Sequence, residues 1–108
     1  MTRRWSLPRE PRLPSLSGKE AVILDLLIAG RELYGLELVE ASGGRIKRGT
    51  VYVTLSRLEA KGYVESRPDP SQPGVELPRR LYRATARGRS LFRLLTAAQR
   101  RLDPEPAR

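Results

Sequence analysis

The sequence predicts a mainly α fold with a small β-hairpin, an α+β fold, on three observations. Residues 49–62 carry apolar side chains at helical spacing, Val51, Leu55 and Leu58, and end at a glycine. An extended segment and a dense cluster of turn residues, 68–74, follow directly. A second amphipathic helix closes the chain. Together these features predict a winged helix-turn-helix with a C-terminal dimerisation helix.

The composition limits both the number of domains and the classes of function. The 108 residues hold one domain at most, which we divide into an arm (1–16), a winged helix-turn-helix (17–84), a terminal helix (85–103) and a tail (104–108). Cysteine and histidine are both absent from the sequence. Their absence excludes disulfides, thiolate or imidazole metal sites and the usual nucleophile with its oriented base. We therefore expect no enzyme, no catalytic residue, no metal and no cofactor.

The sequence indicates neither a membrane span nor an export signal. No apolar run is long enough to cross a bilayer. The N-terminus is rich in arginine and proline and lacks the apolar region of a secretory signal. We therefore expect a cytoplasmic protein that does not bind membranes.

The positive charge is concentrated in one part of the chain. The formal net charge is +9, with eighteen arginines and three lysines. Residues 45–101 hold fourteen basic and four acidic side chains, whereas residues 17–44 hold two basic and five acidic ones. A GC-rich coding bias would explain the preference for arginine over lysine, but not this uneven distribution. A polyanion such as double-stranded DNA is therefore the expected partner.

The N-terminal arm is predicted to be extended, because prolines recur at positions 8, 11 and 14. Trp5 and Leu7 are apolar enough to pack on the body of the protein or on a second subunit. The arginines of the arm either are solvated or contact the minor groove and phosphates of DNA: Arg3, Arg4, Arg9 and Arg12. The sequence leaves these alternatives open.

The first helix is predicted to begin at Ser17, because Ser17 and Glu20 form the S-x-x-E pattern of a capping box. Its body is apolar nearly all round, so most of its faces should be buried. Gly30 is the expected C-cap. The short link at 31–33 is a candidate third strand for the hairpin sheet.

A second helix is predicted from Leu36 to Ser42, with Leu36 and Val39 facing inward and Leu38 as a further candidate for that face. Ile46, in the loop that follows, is expected to fill the gap between helices. Three cations of this loop lie just before the next helix, where they can bind phosphates together with its N-terminal amides: Arg45, Lys47 and Arg48. The glycine-rich motif of nucleotide-binding loops is absent, which argues against a nucleotide site.

The helix of residues 49–62 is predicted to carry a polar and basic face opposite its apolar stripe. At about 100° per residue, this face holds two hydroxyls, a small branched side chain and two cations. They are Thr50, Val53, Thr54, Arg57 and Lys61. Such a surface suits contact with base edges and phosphates, so we assign it as the DNA-binding face of a recognition helix.

The hairpin, or wing, adds further cations. Its strands are predicted at 64–67 and 79–84, with Tyr82 and Ala84 on the face towards the core. The arginines at its base should meet the sugar-phosphate backbone: Arg79, Arg80 and Arg83. A run of arginines is usually only a solvated edge. Its position beside Arg57 is the reason for assigning it to DNA binding.

The last helix is predicted to begin after Thr85 and to end before the prolines at 104 and 106. Its apolar seam holds Leu91, Phe92, Leu94, Leu95, Ala98 and Leu102. The seam either covers the protein's own core or pairs with a second subunit. We favour a dimer interface, because the helix extends beyond what a small core needs.

The chain resembles the PadR-like family of winged-helix transcriptional regulators from about Gly30 to Leu91. Three motifs carry the resemblance: LYGLELVE (33–40), SGGRIKRGTVYVTLSRLEAKGYVES (42–66) and RRLYRATARGRSLF (79–92). The resemblance implies a bacterial repressor that binds a palindromic operator as a homodimer. It also implies a small-molecule effector as a further partner.

The resemblance assigns roles to individual positions. The pattern tyrosines of the family fall on Tyr34 and Tyr52, and its wing arginines on Arg79 and Arg80. Val53 stands where proline is common in the family, and the terminal helix is short for it. An effector pocket between subunits would be lined by groups such as Trp5, Phe92 and Leu95.

An alternative function belongs to another class, a protein-interaction module that binds polymerase or a partner regulator. The acidic first helices and the apolar arm would then carry the function. A steep fall of log affinity for DNA with log salt favours DNA binding, whereas no binding to any duplex at low salt favours the alternative.

Overall fold

The computed structural model describes residues 16–102 of the chain. The predictions for Trp5, Leu7, the arginines of the arm and the C-terminal tail lie outside the described residues. Four helices and a small sheet follow one another: α1 (Gly18–Gly30), β1 (Leu33–Tyr34), α2 (Gly35–Ala41), α3 (Arg48–Ala60), β2 (Val64–Pro68), β3 (Arg80–Ala84) and α4 (Ala86–Leu102). The predicted winged helix-turn-helix architecture is thereby confirmed.

The N-terminus of α1 is closed by the capping box that the S-x-x-E pattern predicts. The Ser17 hydroxyl accepts a hydrogen bond from the Glu20 amide at 3.1 Å, and the Glu20 carboxylate accepts one from the Ser17 amide at 2.9 Å. The prediction of Gly30 as C-cap is wrong by one residue. Arg31 takes the positive backbone angle, φ 75°, and its amide donates to the Leu27 carbonyl.

The second helix packs through a narrower face than its sequence predicts. Leu38 is fully buried, as is Ile46 in the following loop, so Ile46 fills the gap between helices as predicted. Leu36, however, is 46% exposed, and the prediction that it faces inward is wrong. The reason is that α2 is buried on the side of Gly35 and Leu38, and at about 100° per residue Leu36 lies about 200° from Leu38, on the solvent side.

The sheet has three antiparallel strands in the order β1-β3-β2. Tyr82 on the central strand lies opposite Leu33 on one side and Ser66 on the other. The link after α1 therefore does add a third strand, as predicted. Tyr82 and Ala84 are buried against the helices, which confirms the predicted core face of the returning strand.

The last helix is attached to the turn that follows α3. The Thr85 hydroxyl accepts from the Gly88 amide at 3.0 Å, which confirms Thr85 as N-cap, and donates to the Gly62 carbonyl at 2.8 Å. The Thr85 amide donates to the Tyr63 carbonyl at 3.0 Å. A Cβ at Gly88 would overlap that same carbonyl oxygen, so this residue must be glycine for α4 to approach so closely.

Within residues 16–102, no helix is both long and apolar enough to cross a membrane.

One hydrophobic core joins all four helices to the inner face of the sheet. Its fully buried residues are Ile23, Leu24, Leu27, Leu38, Ile46, Val51, Leu55, Leu58 and Val64. The core thus fixes α3 by one side and leaves the other side in solvent.

Candidate nucleic-acid interface

The hydrophobic core holds α3 on the side opposite its solvent-exposed face. Val51, Leu55 and Leu58 have no solvent exposure and belong to the core. Val53 and Arg57 lie on the opposite side and are exposed. The predicted division of α3 into an apolar inner stripe and a cation-bearing outer face is therefore present in the structure.

Thr54 does not belong to that outer face, and the prediction that it is exposed there is wrong. It is 4% exposed, and its hydroxyl donates to the Thr50 carbonyl at 2.9 Å within the helix. The buried side of α3 is wider than the three-residue stripe, because Thr54 lies at its edge next to Val51 and Leu58. Thr50 is half-buried, and its own hydroxyl donates to the Lys47 carbonyl.

Two exposed residues of the outer face escaped the sequence assignment, Ser56 and Tyr52. Ser56 follows Val53 by three residues, so helical spacing alone was a sufficient signal. Tyr52 lies across the start of α2, where a Cβ on Gly35 would come within 2.7 Å of its ring and hydroxyl. Glycine at position 35 thus allows the aromatic ring to lie between α2 and the solvent-facing side of α3.

The loop before α3 and the first residue of α3, Arg48, present their cations to solvent. Arg45, Lys47 and Arg48 are exposed, and within the described part of the chain none of them has an acidic partner within ion-pair distance. Lys47 is the N-cap of α3 but supplies no side-chain hydrogen bond to it. These three exposed side chains therefore lie at or just before the N-terminus of α3.

Lys61, at the end of α3, forms an ion pair with another residue of the same chain. Its ammonium donates to both carboxylate oxygens of Glu20 at 3.0 Å, and Glu20 is buried. Burial raises the pKa of Glu20, but the Ser17 amide, the Lys61 ammonium and the charge of Arg57 outweigh it and lower the pKa overall. Lys61 therefore differs from Arg57, because its charge is already neutralised.

The outer cations of the wing are also paired. Arg83 donates to Glu65 at 2.6 Å, and Arg80 donates to the Ser66 hydroxyl at 3.0 Å. Arg67 forms a two-fold hydrogen bond with Glu32 at 2.7 Å, which joins β2 to the link after α1. The wing arginines are exposed at the edge where the sequence places them, but they already have partners in this conformation.

A buried carboxylate, at the start of the loop between β2 and β3, ties this loop to β1. The side chain of Asp69 is 3% exposed and accepts from the Tyr34 hydroxyl at 2.7 Å, the Ser71 amide at 2.9 Å and the Ser71 hydroxyl at 2.8 Å. Arg79 lies 3.4 Å from the same carboxylate and 4.3 Å over the Tyr34 ring. The Ser71 amide, then the Tyr34 and Ser71 hydroxyls, lower the pKa of Asp69 to about 2.

The residues of the predicted dimer seam of α4 differ in burial. Leu91 is 6% exposed and belongs to the protein's own core, while Leu94 is exposed. Phe92, Leu95 and Ala98 are half-buried, and the side chain of Leu102 lies outside the described residues. Leu91 is therefore not available as a contact for a second subunit, whereas Leu94 is exposed and Leu95 and Ala98 are partly so.

The described residues also contain a cleft of about 190 Å³ on the outer face of the sheet, lined by Glu32, Glu65, Ser66, Arg67, Leu81 and Arg83. Its charges are the two ion pairs Glu32–Arg67 and Glu65–Arg83. It does not include Phe92 or Leu95, the residues expected to line an effector pocket. Among residues 16–102, no group of three or more acidic side chains is placed to hold a metal ion.

The model of one protein family matches this chain, that of the PadR-like transcriptional regulators, over residues 23–94. This match covers the whole of α2, α3 and the wing, the last eight residues of α1 and the first nine of α4. The chain belongs to the PadR-like family of transcriptional regulators. The resemblance found in the sequence motifs is thereby confirmed. Among curated proteins, no sequence matches significantly.

Solved structures place this PadR-like chain among winged-helix regulators. A PadR-like transcription factor from Bacteroides fragilis has 25% identity and a TM-score of 0.66, over 79% of this chain and 82% of that one. A PadR family regulator from Clostridium difficile R20291 has 24% identity and a TM-score of 0.65, over 77% and 88%. The second shares the fold alone at this level of identity.

The PcaV transcriptional regulator from Streptomyces coelicolor, solved with its natural ligand, is also similar to this PadR-like chain. The identity is 25% and the TM-score 0.64, over 85% of this chain. The chain spans only 64% of the length of PcaV.

Proposed function

We propose that this PadR-like protein is a sequence-specific DNA-binding regulator that acts as a repressor on a palindromic operator. The observation that carries the proposal is the pair Val53 and Arg57, exposed on a helix whose opposite side is fixed in the core. A helix held in this way can enter the major groove without losing the packing of the domain. A location in the cytoplasm, with the bacterial chromosome, belongs to the same proposal.

The DNA contact proposed for each cation depends on whether that cation already has a partner within the protein. Arg57 is exposed and, within residues 16–102, has no acidic group within ion-pair distance, so it reaches base edges at no internal cost. Arg45, Lys47 and Arg48 bind phosphates beside the N-terminus of α3. Arg80 and Arg83 meet the backbone only by sharing or leaving Ser66 and Glu65, and Lys61 contributes least.

A homodimer would present two copies of α3 to successive major grooves, about 34 Å apart. The seam from Leu94 to Ala98, with Leu102, is the surface proposed for pairing, because Leu94 is exposed and its neighbours are only half-buried. Exposed leucine on an amphipathic helix is typical of helix–helix association. A small-molecule effector is part of this proposal by analogy with PcaV, which was solved with its natural ligand.

A second candidate function is the binding of a protein partner. It is favoured by the wing tip, where Leu77 is 88% exposed and Val75 lies beside it in solvent. Exposed leucine and valine at a loop tip are more typical of a protein contact than of a phosphate contact.

A salt titration with the full chain separates the two functions. We expect binding to duplex DNA at low salt, with log affinity falling linearly as log salt rises. A slope equivalent to several released counterions supports the interface proposed here. Absence of binding to any duplex at low salt would contradict it and favour the protein partner.

A further inference from the structure

We propose that Val53 contacts the C5 methyl group of a thymine, so that it determines specificity at one base pair; this inference rests on the DNA-binding function proposed above. Val53 is 51% exposed and lies on the outer face of α3, opposite Val51 and Leu58. Its methyl groups contact water in the free protein. Placing them against another methyl group removes both apolar surfaces from water, which is favourable.

The other side chains of α3 limit how it can recognise an A·T pair. Its sequence, RGTVYVTLSRLEA, contains neither asparagine nor glutamine, the side chains that pair with adenine in the major groove. The hydroxyls of Ser56 and Tyr52 are each both donor and acceptor, so they discriminate weakly between bases. Glu59 is held by the Ser66 hydroxyl at 2.8 Å. Recognition of an A·T pair by α3 therefore falls to the methyl group of thymine and the apolar side chain that faces it.

The neighbours of Val53 allow it to reach the bases. Gly49 precedes it by one helical turn, and a Cβ there would meet no atom within 4 Å. Ser56 follows by three residues and is short. The bulky side chains of the outer face, Tyr52 and Arg57, lie to either side of this line. Val53 is thus the most prominent apolar group along the middle of the face.

The spacing of Val53 and Arg57 gives the inference a second consequence. They are four residues apart, roughly 6 Å along the helix axis, which corresponds to about two base-pair steps. Arginine binds guanine through its two acceptors in the major groove. The half-site is therefore expected to combine a thymine with a guanine about two base pairs away.

The test uses the full 108-residue chain and the duplexes that it retains from a random library. Each thymine of a retained duplex is replaced in turn by uracil, which differs only in lacking the methyl group. We expect the wild-type protein to lose about fourfold in affinity at one position of each half-site, the effect of one buried methyl. Val53→Ala should lose a similar factor on the thymine duplex and show no further loss on the uracil duplex.

Val75→Ala is the matched control, because Val75 is 48% exposed and lies on the wing tip, away from α3. It should keep the wild-type difference between thymine and uracil. If the wild type binds but no thymine is sensitive, or if Val53→Ala keeps the full sensitivity or Val75→Ala loses it, the inference fails while DNA binding stands. If no duplex is retained at all, the proposed function fails and the inference fails with it.

Discussion

The hydroxyl of Tyr34 donates a hydrogen bond of 2.7 Å to the carboxylate of Asp69, across 35 residues of sequence. Tyr34 ends the short strand β1, and Asp69 follows strand β2 at the start of the wing loop. The same contact raises the pKa of Tyr34 and contributes to lowering that of Asp69. The position of the wing relative to the helices therefore depends on a charged group that is buried.

Protonation of Asp69 should lower the stability of the folded protein as the pH falls. Its pKa in the folded protein is about 2, below the value of about 3.9 expected in the unfolded chain. The stabilisation by the ionised carboxylate is therefore fully present above about pH 4 and is lost as the pH falls towards 2. We expect Asp69→Asn to be less stable than the wild type in urea denaturation at pH 7, with the difference shrinking towards pH 2.

Tyr34→Phe is the companion variant, because it removes the hydroxyl and keeps the ring beneath Arg79. It should reproduce part of the loss at pH 7. If the difference in stability between Asp69→Asn and wild type stays constant from pH 7 to 2, Asp69 does not stabilise the fold as a buried, ionised carboxylate.

The Glu20–Lys61 pair should matter for stability more than for DNA binding. Glu20→Gln keeps an acceptor for the Ser17 amide but removes the charge that binds Lys61. We expect it to lower the free energy of unfolding by about 1–2 kcal/mol, because Lys61 is partly exposed and the pair is partly screened. Glu40→Gln, at an exposed position on α2, is the control and should change it by less than about 0.5 kcal/mol.

Lys61→Ala should leave the salt dependence of DNA binding nearly unchanged. A cation that binds a phosphate contributes about one unit to the slope of log affinity against log salt, whereas Lys61 is already neutralised by Glu20. Titrations of Lys61→Ala and Arg48→Ala in parallel measure this difference. A slope that falls equally in both variants would show that Lys61 leaves Glu20 to bind DNA.

A side chain at Gly88 should destabilise the contact between α4 and the turn that follows α3. Gly88→Ala places a Cβ against the backbone carbonyl of Tyr63, which cannot move without displacing α4. We expect a loss of about 1–3 kcal/mol in the free energy of unfolding, the cost of overpacking. Gly18→Ala is the control, because a Cβ at Gly18 meets nothing within 4 Å. Equal stability of Gly88→Ala and wild type would contradict the close packing described here.

The local features of the fold could be predicted from sequence because each depends on residues close together in the chain. The capping box needs only Ser17 and Glu20, and the burial of Val51 and Leu58 follows from helical spacing. Arg31 could not be predicted, because nothing in its residue type favours a positive φ. Thr54 was misplaced because spacing gives the centre of a buried face and not its width.

The partners of the cations could not be predicted, because they are distant in sequence. Lys61 meets Glu20 across 41 residues, and Arg67 meets Glu32 across 35. The sequence pattern predicted an outward-facing Lys61, but it could not tell paired cations from unpaired ones. Asp69 was read only as a turn residue, and its burial follows from the packing of the wing against Tyr34.

The most direct test of the account is the affinity of Arg57→Ala for a selected operator and for random duplex, measured beside Arg93→Ala, an exposed arginine of α4. We expect Arg57→Ala to lose about 1–3 kcal/mol on the operator and much less on random DNA, and Arg93→Ala to retain wild-type discrimination. Equal losses on both duplexes for Arg57→Ala would mean that Arg57 only attracts phosphate, and the outer face of α3 would then not be the surface that reads the sequence.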